Sequence, residues 1–288
     1  MKNRSILILI FTFLMITVIT SCTPSVPPIQ YGWIDINSTP DGAKVFIDGI
    51  DTGIVTPVTL NEKVGNYTIK LDNFHYKIWE DTVTVNADET TYVNPALTYA
   101  SLDAIILQPG TEGKDADVEE AVPDGNNADI AVLYAGFTDT EGKYRSYLQF
   151  DLSAVPADAR VIDSKLELYL FERLYSSFFS DESLLGIYQV TESWAEDTIT
   201  WNNQPASFAQ AEGEVNLASL LIGGRYWESW NITVLVQGWV DGTVPNYGIA
   251  IKAVDETLTG GIIGKFRSSD FLVDPTKCPK LEIDYYIP

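Results

Sequence analysis

Cysteine is almost missing: Cys22 and Cys278 are the only two in 288 residues. Histidine occurs once, at His75, and 18 lysines and arginines face 40 aspartates and glutamates. Each scarcity closes off some chemistry. Two cysteines make no disulfide framework, so the chain must be held by apolar cores. A single histidine supports no Cys/His pair, and no G-x-S-x-G elbow, H-E-x-x-H motif or nucleotide-cradling glycine loop is present. Among catalytic devices only paired carboxylates, as in glycoside hydrolysis, stay open in so acidic a chain. A net charge of −22 repels nucleic acid and anionic lipid, and disfavours any strongly anionic polymer. The excess of acid does not mean disorder, because 45% of residues are hydrophobic and 12% aromatic.

The start is the one long apolar run. Lys2 and Arg4 precede it, and it stops at Ile19-Thr20-Ser21-Cys22. A basic start, a short apolar stretch and small residues at its end are the order of a secretory signal, not of a membrane span. The end of the run resembles a bacterial lipobox, which implies cleavage before Cys22 and acylation of that residue. Loss of Lys2 and Arg4 leaves 16 cations against the 40 acids, net −24. The expected order is a signal at 1–21, then a proline-rich tether at 22–30 that stays extended. That places the body in the cell envelope, outside the cytoplasm and fixed to a membrane by lipid. Cys278 then has no intramolecular partner.

From Tyr31 the pattern has period two. Ile34 and Ile36 alternate with Trp33, Asp35 and Asn37, and turns follow at Pro40-Asp41-Gly42 and Asp48-Gly49. Ala43–Ile47, Tyr67–Leu71 and Thr82–Val85 read as further short strands. The stretch Pro40-Asp41-Gly42-Ala43, followed by Val45–Gly49, Gly53, Thr56-Pro57 and Gly65-Asn66-Tyr67, resembles the PEGA domain, a small β-sandwich of bacterial envelope proteins. His75-Tyr76 stands where that family has Gly-Tyr. The resemblance covers 31–98 and implies a spacer or interaction module with no catalytic residues.

A longer two-faced pattern begins near residue 103. Leu166, Leu168 and Leu170 alternate with Glu167, Tyr169 and Phe171, and Leu281–Tyr285 does likewise. Many short strands without βαβ spacing predict one sandwich or jelly roll over 103–288. Ile232, Leu235, Val236 and Trp239 are spaced as a short helix that ends by Gly242. Arg145-Ser146-Tyr147-Leu148-Gln149-Phe150-Asp151-Leu152-Ser153, then Trp194, then Thr198–Pro205 with Trp201, then Asn246-Tyr247-Gly248 and Phe266–Asp270, resemble the DNRLRE domain, also classed as carbohydrate-binding module family 96. The resemblance implies a β-sandwich that holds a polysaccharide or cell-wall glycan without catalysis. The overall expectation is therefore all-β, a small sandwich followed by a larger jelly-roll-type sandwich.

Trp194 and Trp201 belong to that signature and read first as buried corner indoles. Tyr226, Trp227 and Trp230 are better placed to stack on sugar, as are Tyr175, Phe178 and Phe179 in a loop. Some relatives bind alginate, a polyuronate, which requires cations; Lys143, Arg145, Arg173, Lys265 and Arg267 are the candidates. With so negative a chain a neutral glycan is the stronger expectation. Asp115 and Asp117, with Glu282 or Asp284 of the last strand, form a carboxylate set for a structural calcium ion if the terminal strands pair. No other cofactor is implied. The rival reading is a structural or adhesive envelope protein with no specific sugar ligand.

Overall fold

A computed structural model describes residues 28–176, 184–217, 225–258 and 260–288. The signal, Cys22, and Phe178 and Phe179 lie outside the described residues. Among the described residues no helix is long and apolar enough to cross a membrane.

The first unit is a seven-stranded sandwich. Strands β1 (Tyr31–Ile36), β2 (Lys44–Ile47), β3 (Ile50–Val55), β4 (Val58–Lys63), β5 (Gly65–Asp72), β6 (Trp79–Val85) and β7 (Thr90–Val93) form two sheets, ordered β4-β1-β7 and β3-β2-β5-β6. Alternation does the sorting. Ile34, Ile36, Val45, Ile69, Leu71 and Val85 are fully buried between the sheets. The tight turn from β2 to β3 places Asp48 at φ 50° and Gly49 at φ 80°, both left-handed, as a two-residue hairpin with the native twist requires. His75 has φ 67°, a left-handed conformation that glycine adopts without steric cost.

The second unit is one continuous eleven-stranded sheet curled around a core. It contains β8 (Leu102–Leu107), β9 (Lys114–Glu119), β10 (Val132–Thr138), β11 (Gly142–Gln149), β12 (Arg160–Tyr175), β13 (Leu184–Gln189), β14 (Gly213–Asn216), β15 (Tyr226–Asn231), β16 (Ile249–Ala253), β17 (Ile262–Arg267) and β18 (Lys280–Tyr286). The bend lies in the 16-residue β12. Its first part pairs with β18 and β15, its end pairs with β17, and the register shifts between Leu170 and Glu172. A bulge of this kind sharpens twist and lets one strand serve both layers. Leu166, Leu168 and Leu170 point inward with Trp230, Phe266, Leu281 and Ile283. Helix α1 (Thr233–Val240) closes that core with Leu235, Val236 and Trp239.

A smaller core lies on the other side of β9, β11, β13 and β16. Ala116, Val118, Tyr147, Tyr188, Val190 and Ile199 fill it, with Trp194 and Trp201 packed against them. The two units touch through Asp72 and Arg160, a bidentate ion pair, and through Tyr286. The Tyr286 hydroxyl accepts from the His75 N–H at 3.1 Å, and its ring lies 5.9 Å from Phe74 and 5.5 Å from His75.

Candidate functional site

The tryptophan signature is part of the frame. The Trp194 indole N–H donates to the Tyr247 carbonyl at 2.9 Å, and the Lys114 ammonium lies 4.2 Å from its ring centre. The Arg145 guanidinium lies 4.6 Å over Trp201. Arg145 also makes two bonds to the Glu256 carboxylate and one to Gln204 Oε1. It is thus a half-buried structural cation, and its position in the smaller core withdraws it from ligand contact. Asn203 binds Thr200 and Thr198 across its own turn.

The remaining candidates separate by strand parity. Successive side chains of a strand face opposite ways, so Tyr226, Glu228 and Trp230 of β15 face the core while Trp227 faces out. Trp230 is 2% exposed and Tyr226 packs on the same core, which removes both from the expected sugar-stacking set. Lys143 pairs with Glu120 at 2.9 Å and Lys265 with Glu172 at 3.1 Å. Arg173 is buried with its guanidinium 4.9 Å over Tyr226. Trp227 and Arg267 survive on the outer face.

Register shows what joins them. Trp227 lies directly opposite Tyr169 on β12, with ring centres 5.5 Å apart and planes at 73°. Two residues back on the same face, Glu167 lies opposite Lys280 of β18, and the two form an ion pair. Lys280 also donates to Glu282 at 2.7 Å and stands 4.8 Å over the Trp227 ring. Arg267 is clasped between Phe171 and Phe271, 3.8 Å from each ring centre. Lys277 lies 5.2 Å over Tyr169. The outcome is a half-buried outer face carrying two facing aromatics, a carboxylate and several N–H donors. Glu167, Tyr169 and Phe171 were visible in sequence as the outward set of an alternating strand, but only register showed that Trp227 and Lys280 flank them.

The expected calcium set does not assemble. The last strand pairs with β8, whereas β9 adds to β11, so Asp115 and Asp117 lie away from Glu282 and Asp284. Glu282 is held by Lys280 instead. Asp115 is brought beside Glu196 and Asp270, one oxygen of each within 4.8 Å of the others. Burial pushes the Asp115 carboxyl up to about 7 despite the Ser269 N–H that stabilises its anion. Burial likewise pushes Asp117 up to about 8, against one bond from Asn127. Glu196 and Asp270 were missed in sequence because loops about 80 and 155 residues downstream of Asp115 deliver them, and no local spacing encodes that approach.

Comparison with known proteins accords with both units. The PEGA domain model matches residues 31–100. No curated protein matches the chain. A solved structure described as "Structural basis for the promiscuous specificity of the carbohydrate-binding modules from the beta-sandwich super family" aligns over 85% of this chain and 85% of its own, at 7% identity and a TM-score of 0.17, too low a likeness to carry an argument. The model of carbohydrate-binding module family 96 matches residues 107–268, more than half of the chain, so the protein belongs to that family and carries a PEGA domain ahead of the module.

Proposed function

We propose that the module binds a neutral polysaccharide, without catalysis, on the outer face of β12, β15 and β18. The observation that carries this reading is the cross-strand Trp227–Tyr169 pair set beside Glu167 and Lys280. Pyranose C–H faces stack on aromatic rings, while a carboxylate accepts from sugar hydroxyls and an ammonium donates to them. Lys280 and Lys277 now cover the two rings. A part-exposed cation–π contact is worth only about 0.5–1 kcal/mol, so an arriving sugar displaces them at small cost and takes their N–H groups as donors. Neutral sugar is favoured over polyuronate because Lys280, Lys265 and Lys277 are already paired with carboxylates, and the whole chain is strongly negative.

In this reading Cys22 carries lipid in the envelope, the PEGA domain sets the reach, and the module faces the glycan. Palmitate labelling that disappears in Cys22→Ser checks the anchor. Affinity electrophoresis through gels cast with neutral and acidic polysaccharides checks the face. Retardation by a neutral polymer, lost in both Trp227→Ala and Tyr169→Ala, is expected. Retardation by alginate alone, dependent on Arg267, would replace the neutral ligand with a uronate. Unchanged mobility across the panel would favour the structural, non-sugar role.

A further inference from the structure

Asp115 on β9, Glu196 in the segment after β13, and Asp270 in the loop after β17 converge, each offering an oxygen within 4.8 Å of the others. Like charges at that spacing repel unless a carboxyl keeps its proton or a cation sits among them. The neighbouring ammonium of Lys114 donates to Gln149 Oε1 and to the Trp194 carbonyl, each at 2.6 Å, and acts on Glu196 only through space, while Glu196 Oε1 accepts from the Asp115 backbone N–H at 2.9 Å.

Separate from the clustering is an unmet need for partners. Asp115 is 3% exposed, and its Oδ1 has no hydrogen-bond partner among the described residues, while Oδ2 accepts from the Ser269 N–H at 2.8 Å. The Ser269 hydroxyl, 2% exposed, faces the same carboxyl and helps to hold its anion. Two residues along the same face of β9, Asp117 is fully buried, and among the described residues its Oδ1 lacks a partner too. Buried carboxylate oxygens are normally paired or bound to metal. The donor set is all oxygen, which suits a hard cation that takes six to eight oxygen ligands at flexible geometry.

We propose that Asp115, Glu196 and Asp270 bind a calcium ion that fastens the loop after β17 to the body of the module. The loop matters because it carries Phe271, which clasps Arg267, and Lys277, which covers Tyr169. The ion thus ties β9, the tryptophan-bearing segment and one border of the outer face together. This role stands whether or not that face holds sugar.

The test uses the full-length protein stripped with EGTA and titrated with Ca²⁺ by calorimetry, with terbium luminescence and melting temperature read in parallel. One ion per chain is expected, with a melting temperature raised by several degrees, slowed amide exchange in residues 268–278, and a weaker response to Mg²⁺. Glu196→Gln and Asp270→Asn are expected to abolish these effects. Both residues are only part-buried, so neither variant opens the core as Asp115→Asn could. No heat, luminescence or thermal shift up to about 10 mM Ca²⁺, beyond the 10⁻⁴–10⁻³ M range of weak extracellular sites, overturns the proposal. Undiminished binding in both variants overturns it as well.

Discussion

Replacing Glu228 by glutamine tests the fold where parity put a carboxylate into the core. Glu228 faces inward from β15, 5% exposed, and its Oε1 has no partner among the described residues. Burial lifts its pKa from 4.5 to about 7, with Arg173 opposing the rise. A group whose folded pKa is raised holds its proton longer in the folded state. Stability therefore falls as pH climbs from the unfolded value to the folded one, and is level above it. At 1.36 kcal/mol per unit the ionised carboxylate costs about 3 kcal/mol above pH 7. Glutamine removes that cost while keeping the shape. Urea unfolding followed by tryptophan fluorescence should show Glu228→Gln gaining about 2–3 kcal/mol over the parent at pH 8. The gain should shrink steadily between pH 7 and 4.5 and vanish below. Other titrating groups, Asp115 and Asp117 among them, are common to both proteins and cancel in the difference. A difference that does not change between pH 4 and 8 would refute the assignment of a buried, destabilising carboxylate.

Two further outcomes follow from the same geometry. Cys278 is 1% exposed with its thiol directed at the Ser269 carbonyl, 3.5 Å away, so in native protein it should react with Ellman's reagent only at the rate of unfolding; modification within minutes would show an open route to it. Arg160→Ala removes the ion pair to Asp72 that links the two units; a part-exposed pair is worth about 1 kcal/mol at most, so melting should move little while small-angle scattering shows a wider spread of arrangements, and superimposable scattering curves would show that Tyr286 alone holds the junction.

Much of the architecture was legible in sequence. Period-two alternation with Gly/Asp turns marked the strands, and the Ile232–Trp239 spacing marked the helix, because burial of one face imposes those periods directly on the chain. The indoles of Trp194 and Trp201 read correctly as frame. What failed was the choice of outward aromatics within Tyr226–Trp230. A cluster of aromatics does not announce its own parity, and Trp230 was offered to ligand although it is among the largest fully buried side chains. The curl of one sheet into both layers was hidden as well, since it depends on the bulge after Leu170.

By itself the sequence determined the two β units, their order, the acidic surface and the family membership, all of which rest on local pattern or composition. Tertiary structure alone decided that Tyr169 meets Trp227, that Glu167 meets Lys280, and that Asp115 meets Glu196 and Asp270 rather than Glu282. Each of those meetings is a matter of register or loop return between distant segments. A one-residue slip would leave every local pattern unchanged and still turn Trp227 into the core.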